Sequence, residues 1–436
     1  MFGDTEQYFD YQEEKVDEIL CIDMKSFYAS VECVERGWDP MATLLVVMSG
    51  GDSPGGLALA SSPMAKEVLG ISNVTRNFEI PYHKDLKLVP PRMNLYIKKN
   101  MEINNIFKRY VAEEDILIYS IDETFVRVKA SCKLFNMTPY QFAETFKRVI
   151  KEETKLPCTI GIGDNMLLSK LALDNGAKHT SNMIATWRYQ DVPETVWKIK
   201  NMTDFWGINR RTEKRLNNKG IYSIYDLAHY DFFRIKESMG IIGQQLVAHA
   251  WGIDRTDISE RYQPKSKSIG NNQVLLKDYV NVNETRIVLR EMAEQVATRI
   301  RKRHLQTGCV HLSIAYSKND MASGFSRQIT VPKTNSSKEL AGHCLYLFNK
   351  FYTGGAIRHI GINYSKLTPD TSLQLNLFES ADDTVNDYCL DETIDQIRSQ
   401  YGFDAIYHAS SKLEGATAIN RSHLVGGHAG GMDGLT

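Results

Sequence analysis

A multidomain α+β fold is what this sequence predicts, and three observations carry the prediction. Short apolar runs such as Ile19-Leu20-Cys21-Ile22 and Ile116-Leu117-Ile118-Tyr119 read as strands that stop at carboxylates. Segments with helical spacing follow them, as at 94–110 and 139–154, so that a sheet with helices on one side is expected. The chain has 436 residues, 42% of them hydrophobic and 24% charged, an ordinary globular composition long enough for two to four domains.

The chemistry concentrates in Tyr119-Ser120-Ile121-Asp122-Glu123, flanked by Ile116-Leu117-Ile118 and by Phe125-Val126-Arg127-Val128. The pattern is strand, tight turn, strand, with two adjacent acids at the turn. An isolated Asp-Glu pair is most often a solvated turn. At the tip of a buried hairpin, however, the two charges repel each other and are costly to desolvate, and a hard divalent cation is the usual compensation. A second stretch tips the balance. In Ile19-Leu20-Cys21-Ile22-Asp23-Met24-Lys25-Ser26-Phe27-Tyr28-Ala29-Ser30-Val31-Glu32 a strand ends in Asp23 on the sheet rim, and a helix follows. Three carboxylates there could hold two metals roughly 3.5–4 Å apart, the arrangement that clamps both oxygens of a phosphoryl displacement.

Asp-x-x-x-Phe-Tyr-Ala-Ser-Val-Glu with a later Tyr-Ser-Ile-Asp-Glu resembles the Y-family, or translesion, DNA polymerases. The later sequence is most similar to the UmuC-like branch of Gram-positive bacteria, their phages and plasmids. The resemblance covers about residues 18–368 and implies a right-hand polymerase with palm, small fingers, helix-hairpin-helix thumb and a C-terminal little finger.

Composition bounds the rest. No apolar run approaches the roughly 20 residues of a membrane span, and Asp4, Glu6, Asp10, Glu13 and Glu14 make the N-terminus acidic, unlike a signal peptide. The seven cysteines are scattered singly, which points to reduced thiols in a cytoplasm and against disulfides or a zinc site. A net charge of −1 hides an asymmetry: residues 264–366 carry 16 Lys+Arg against 6 Asp+Glu, and the remainder balances at −11. One basic module rides on an acidic chain, as expected of a nucleic-acid binder.

In chain order, 1–17 is an acidic lead, and 18–27 with 91–185 the expected palm. Residues 28–90 form the expected fingers: a strand at 44–48, a Gly-rich loop from Ser49 to Gly56 that lacks the phosphate-loop Lys-Ser/Thr, and a strand edge and helix over 59–69 closed by Gly70. Thr138 caps the 139–154 helix with Pro139 at its first position; 158–163 is a strand and 165–175 a helix. Residues 186–258 are the expected thumb, where Gly207-Ile208-Asn209 resembles a hairpin whose backbone amides hold a DNA phosphate, with a weaker copy at Met239-Gly240-Ile241-Ile242-Gly243. After a linker at 259–267 comes the little finger, 268–368, with a helix over 284–305 and strands at 310–316 and 360–364; two helices and about four strands suit it. In the tail, 369–436, eight acids and no Lys or Arg occupy 370–397, a composition that reads as disordered. Within it Gln374-Leu375-Asn376-Leu377-Phe378 resembles the peptide by which bacterial polymerases dock on the sliding clamp (its beta subunit), Gln374 hydrogen-bonding while Leu377 and Phe378 fill an apolar pocket. The Gly-rich end from Gly426 to Gly431 has a form associated with the Gram-positive branch.

The resemblance also assigns roles. Asp23 and Asp122 bridge two Mg²⁺ ions, for which Mn²⁺ substitutes; Glu123 ligates the primer-side ion and the Met24 carbonyl the nucleotide-side one. Lys170, in Leu168-Ser169-Lys170-Leu171-Ala172, matches the phosphate-binding Lys. Lys66 or its neighbour Glu67 falls where the family has a fingers cation, and Lys66 is the choice; Arg76 is a further candidate, and Ser61 or Ser62 a phosphate contact. Tyr28 is the steric gate against a 2′-hydroxyl; Phe27 beside it lines the nucleotide pocket from the core. Small fingers residues, Gly56, Ala58 and Ala60, are expected to press lightly on the base pair and so to tolerate damaged templates. Gly207, Asn209, Arg299, Lys302 and Arg303 are the expected DNA contacts. The implied function is error-prone translesion synthesis in the damage (SOS) response, on primer-template DNA with dNTPs, with a UmuD-like or other accessory protein as a further partner. The alternatives are a two-metal nuclease or cyclase, and a non-catalytic DNA-binding regulator. The presence of Asp23, Asp122, Glu123, Tyr28 and Lys170 weighs against the regulator.

Overall fold

A computed structural model describes residues 9–50, 56–260, 267–318, 320, 324–371 and 380–430. The chain divides into two compact units, 1–261 with 428–436, and 262–427. Among the described residues no helix is long and apolar enough to cross a membrane. All seven cysteines are free thiols.

The first unit begins with β1 (Ile19–Met24), α1 (Phe27–Val34), β2 (Leu45–Ser49), β3 (Leu57–Ser61), α2 (Pro63–Leu69) and β4 (Lys87–Val89). It continues through α3 (Met93–Phe107), β5 (Ile116–Ile118), β6 (Glu123–Arg127), α4 (Lys129–Phe135), α5 (Pro139–Thr154), β7 (Cys158–Gly163), α6 (Met166–Asn175) and β8 (Ile184–Trp187). Four helices end it: α7 (Arg210–Asn217), α8 (Ile224–Ala228), α9 (Phe232–Met239) and α10 (Ile241–Ala250). A five-stranded sheet runs β5-β6-β1-β7-β8, and a separate small one β3-β2-β4. β1 is central in the larger sheet and antiparallel to both β6 and β7, hence buried along nearly its whole length.

Local chemistry explains these elements. Thr138 accepts from the Gln141 amide while the Gln141 side chain returns to the Thr138 amide, a capping box that starts α5 with Pro139 at its first position. Asn165 caps α6, and Gly70, at φ 64°, stops α2 in a left-handed turn. The expected one-sided sheet is corrected. A Cβ on Gly161 or Gly163 would fall 2.1 or 2.2 Å from the Ser169 backbone, so α6 lies directly on that face of β7. α5 packs on the same strand and α3 on α5, with Phe142 and Phe146 of α5 and Ile160 and Ile162 of β7 fully buried; Ile160 and Ile162 alternate with the glycines, so these helices cover the opposite face. Ala58 and Ala60 also differ from expectation. They are buried in two small cores, Ala60 beside Ala29 and Val47 and Ala58 beside Val46 and Ala65.

The second unit holds β9 (Ile269–Tyr279), α11 (Val282–Arg301), β10 (Leu305–Tyr316), β11 (Phe325–Thr334), α12 (Ser337–Phe351) and β12 (Ile357–Pro369). Its antiparallel sheet runs β11-β10-β12-β9, and α11 and α12 pack on it over a core that includes Leu289, Val296, Leu312, Phe348 and Ile362. The helix expected to reach 305 ends earlier: His304 takes φ 52°, and Leu305 opens β10. The acidic tail is also corrected. It forms α13 (Ala381–Tyr401), then α14 (Ala418–Ser422) and the short strands β13 (Leu424–Val425) and β14 (His428–Ala429). Its acids are not merely solvated, since Asp391 and Asp395 pair with Arg301, whose side chain is only 7% exposed, at 3.2 and 2.7 Å. A basic partner on α11, invisible to a local composition count, selects the helix.

Candidate active site

The β1–β6 register places Asp23 opposite Glu123, and the Met24 amide donates to the Asp122 carbonyl at 2.8 Å. Residues distant in sequence thus bring three carboxylates to one end of the sheet. Each has a partner. The Ser120 hydroxyl donates to Asp122 Oδ1 at 2.7 Å. Glu123 Oε1 accepts from the Cys21 thiol at 3.1 Å and from Lys170 Nζ at 2.8 Å. Asp23 Oδ2 pairs with Lys178 Nζ at 3.1 Å. Asp174 on α6 ties both lysines, at 3.0 Å from Lys170 and 2.7 Å from Lys178. Burial pushes the Asp23 carboxyl up to about 6; Lys178 opposes that rise, and the charges of Asp122 and Glu123 add to it. Among the described residues no ready-made cluster of three or more ligating side chains is gathered. Two ammonium groups balance the acids in this conformation. Hard oxygen donors around a buried carboxyl that ionises reluctantly are nonetheless a donor set that a divalent cation fits.

Lys170, expected at a phosphate, is held between Glu123 and Asp174 with its side chain 12% exposed. Lys178 escaped the sequence reading. Its only local signal was a second Lys two turns beyond Lys170, and the bend after Gly176 turns it to Asp23. Lys66 Nζ donates to Ser26 Oγ at 3.0 Å, and burial lowers its pKa, with Asp23 opposing and Lys178 reinforcing. Ser61 is fully buried, its hydroxyl without a hydrogen-bond partner among the described residues; Ser62 caps α2 and donates to the Thr43 carbonyl at 2.6 Å.

Tyr28 is half-buried and lies flat on Tyr96, ring centroids 4.4 Å apart and planes at 14°, while Phe27 is core. The Tyr96 hydroxyl donates to Glu32 Oε1 at 2.7 Å, and Arg92 grips the same carboxylate through Nε at 3.0 Å and Nη2 at 2.8 Å, with Arg36 as a third partner. Sequence reasoning missed Tyr96, Arg92 and the role of Glu32, because nothing local marks a partner so far along the chain.

Gly207 has φ 98°, a conformation that glycine adopts without strain, and borders a cavity of about 660 Å³ with Asp174, His179 and Asn209. The Asn209 side chain caps α7, accepting from the Arg211 and Thr212 amides at 2.9 Å each. In the second unit Arg299, Lys302 and Arg303 are exposed at the end of α11. Gln374, Leu377 and Phe378 lie outside the described residues.

The fold and the three-carboxylate site define a Y-family DNA polymerase, and comparison with known proteins agrees. The impB/mucB/samB family profile matches residues 22–174, and the profile of that family's C-terminal domain matches 266–377. Bacillus subtilis UvrX, assigned provisionally to UV-damage repair, is 40% identical over 420 residues, covering 96% of this chain and 99% of the relative. DNA polymerase IV 2 of the same organism is 33% identical over 419 residues, covering 95% and 99%. A solved chimera of the Y-family DNA polymerases Dbh and Dpo4 superposes with a TM-score of 0.64 at 18% identity, covering 81% of this chain and 99% of the chimera, a likeness of fold. The chain belongs to the impB/mucB/samB family, Y-family polymerases of UmuC-like type. Its class is DNA-directed DNA polymerase of DNA repair, and the family implies dependence on a divalent metal.

Proposed function

We propose that the chain carries out error-prone translesion synthesis by two-metal nucleotidyl transfer from dNTPs to a primer 3′-hydroxyl. The pairing of Asp23 with Glu123 across β1 and β6, with Asp122 beside it, is the observation that carries this reading. Asp23, Asp122, Glu123 and the Met24 carbonyl would hold two Mg²⁺ ions (or Mn²⁺), which when bound supply the Lewis acidity that activates the hydroxyl and neutralises the triphosphate.

The chain's own groups do the rest. Lys170, fixed by Asp174, orients Glu123. Lys178 and Lys66, both within the field of Asp23, are free to exchange their present partners for triphosphate oxygens, so that Lys178 takes the role first expected of Lys170. Tyr28, supported by Tyr96, bars a 2′-hydroxyl. In this reading 18–27 and 91–185 are palm, 28–90 fingers, 186–258 thumb and 268–368 little finger. The Gly207 hairpin and the basic end of α11 contact the phosphates of primer-template DNA. Residues 374–378 dock on the sliding clamp, and a UmuD-like protein is a further partner in a cytoplasmic damage response.

Primer extension on an undamaged and an abasic template tests the reading. Distributive extension that continues past the abasic position is expected. Extension that halts there on every template, with the clamp added, would refute translesion synthesis while leaving polymerisation intact.

A further inference from the structure

The second unit holds a cavity of about 490 Å³ between the C-terminal half of α11, the start of β9 and the tail from Phe403 to Gly427. Four cations line it: Arg299 and Lys302 at the end of α11, Arg398 of α13 and Arg421 of α14. Arg398 is neutralised, 2.5 Å from Glu294 Oε1 and stacked 4.5 Å over the Phe403 ring. Among the described residues the other three have no carboxylate at ion-pair distance. Arg299 Nη1 donates to the Gly270 carbonyl at 3.2 Å, and Arg421 Nη1 to Gln273 Oε1 at 2.5 Å. Glu291, the acid whose field reaches Arg421, turns Oε2 to the Thr417 and Ala418 amides at 2.9 and 3.0 Å, so it holds the tail in place. Arg421 is therefore a half-buried guanidinium beside two further cations, whereas Arg301 of the same unit sits between two aspartates. Buried charges are normally paired, and a guanidinium fork with a second cation nearby matches phosphate geometry.

We propose that this cavity binds one phosphate group, gripped by Arg421 of the tail together with Arg299 and Lys302 of α11. The Gly-rich stretch then has a physical role: Gly426 and Gly427, at φ 61° and 88°, turn the chain at the cavity rim. This deepens the reading of α11 as a DNA-contacting helix but uses nothing from the catalytic site, so its failure leaves the polymerase reading standing. The phosphate belongs either to a nucleic-acid backbone or to a free anion.

The test uses the full chain as wild type, Arg421→Gln, Lys302→Gln and the control Lys412→Gln, which removes the same charge elsewhere on this unit. One arm compares thermal stability in inorganic phosphate and in chloride at equal ionic strength; the other follows primer-template binding by anisotropy across a salt series. Phosphate should stabilise wild type and the control, and both cavity variants should lose at least half of that shift. If the phosphate is a backbone one, their slope of log K against log salt should also fall by about 0.9, one phosphate contact, while the control keeps its slope. A response in the DNA arm identifies a phosphodiester, and a response to inorganic phosphate alone a free anion; either supports the site. Cavity variants that match wild type in both arms, or a control that changes as much as they do, overturn it. Should Arg421→Gln fail to fold, the exposed Lys302 variant decides by the same criteria. Primer extension by wild type, scored separately, reports on the polymerase reading.

Discussion

Tyr28 owes its position to a chain of contacts: it stacks on Tyr96, which hydrogen-bonds Glu32, which Arg92 and Arg36 clamp. The proposed gate discriminates through stiffness as well as size. Tyr28→Ala should therefore admit ribonucleotides, and Tyr96→Ala should weaken sugar selectivity by about tenfold, near 1.4 kcal/mol, while Tyr96→Phe holds selectivity closer to wild type. Incorporation ratios for each dNTP–rNTP pair check this, and unchanged ratios in Tyr28→Ala would remove the gate assignment. Glu32 also carries stability. Burial alone would raise its pKa, but hydrogen bonds from Arg92, Tyr96 and Arg36 outweigh burial and hold it below the ordinary 4.5. Because the folded value is the lower one, the stabilisation is complete above about 4.5 and fades as pH drops through the folded value. Glu32→Gln should cost about 2–3 kcal/mol at pH 7, less than a fully enclosed pair because both arginines are partly exposed, and urea titrations should show the gap narrowing in acid. Tyr28 and the three acids were legible because they sit in dense local motifs. Tyr96 and Lys178 were not, because their meaning arises only when distant segments meet.

At the scale of elements, α6 is pressed onto β7 with no room for a side chain at Gly161 or Gly163. A Cβ at Gly161 would come within 2.1 Å of the Ser169 carbonyl and 2.4 Å of the Leu173 amide. Gly161→Ala must lift α6 and with it Lys170. It should destabilise the fold by about 3 kcal/mol, the upper end of ordinary overpacking, and reduce extension further than the lost stability alone accounts for. Thermal melts beside extension rates on the folded fraction would separate the two effects. Elements with local start and stop signals, such as α5 with its Thr138 cap, could be read from sequence to the residue. Those decided by tertiary partners could not: α13 forms in an acidic stretch because Arg301 awaits it, and the two small cores that hold Ala58 and Ala60 reveal themselves only in three dimensions.

For the whole molecule, the charge asymmetry visible in the sequence is reshaped by folding. Residues 264–366 carry an excess of ten positive charges. Within the second unit Asp391, Asp395 and Glu294 neutralise Arg301 and Arg398, while Arg299, Lys302 and Arg303 at the end of α11 remain exposed. Asp395→Ala leaves Arg301 partly unpaired and should cost about 3 kcal/mol, detectable as earlier urea unfolding of the second unit. The first unit presents the carboxylates. In the proposed reading these carboxylates hold the metal. The most direct measurement is therefore a magnesium titration of primer extension by wild type and by Asp122→Ala/Glu123→Ala, with melting curves confirming that both are folded. The account predicts magnesium-dependent extension by wild type and none by the double variant at any magnesium concentration. Extension by the folded double variant at a rate near wild type would contradict it.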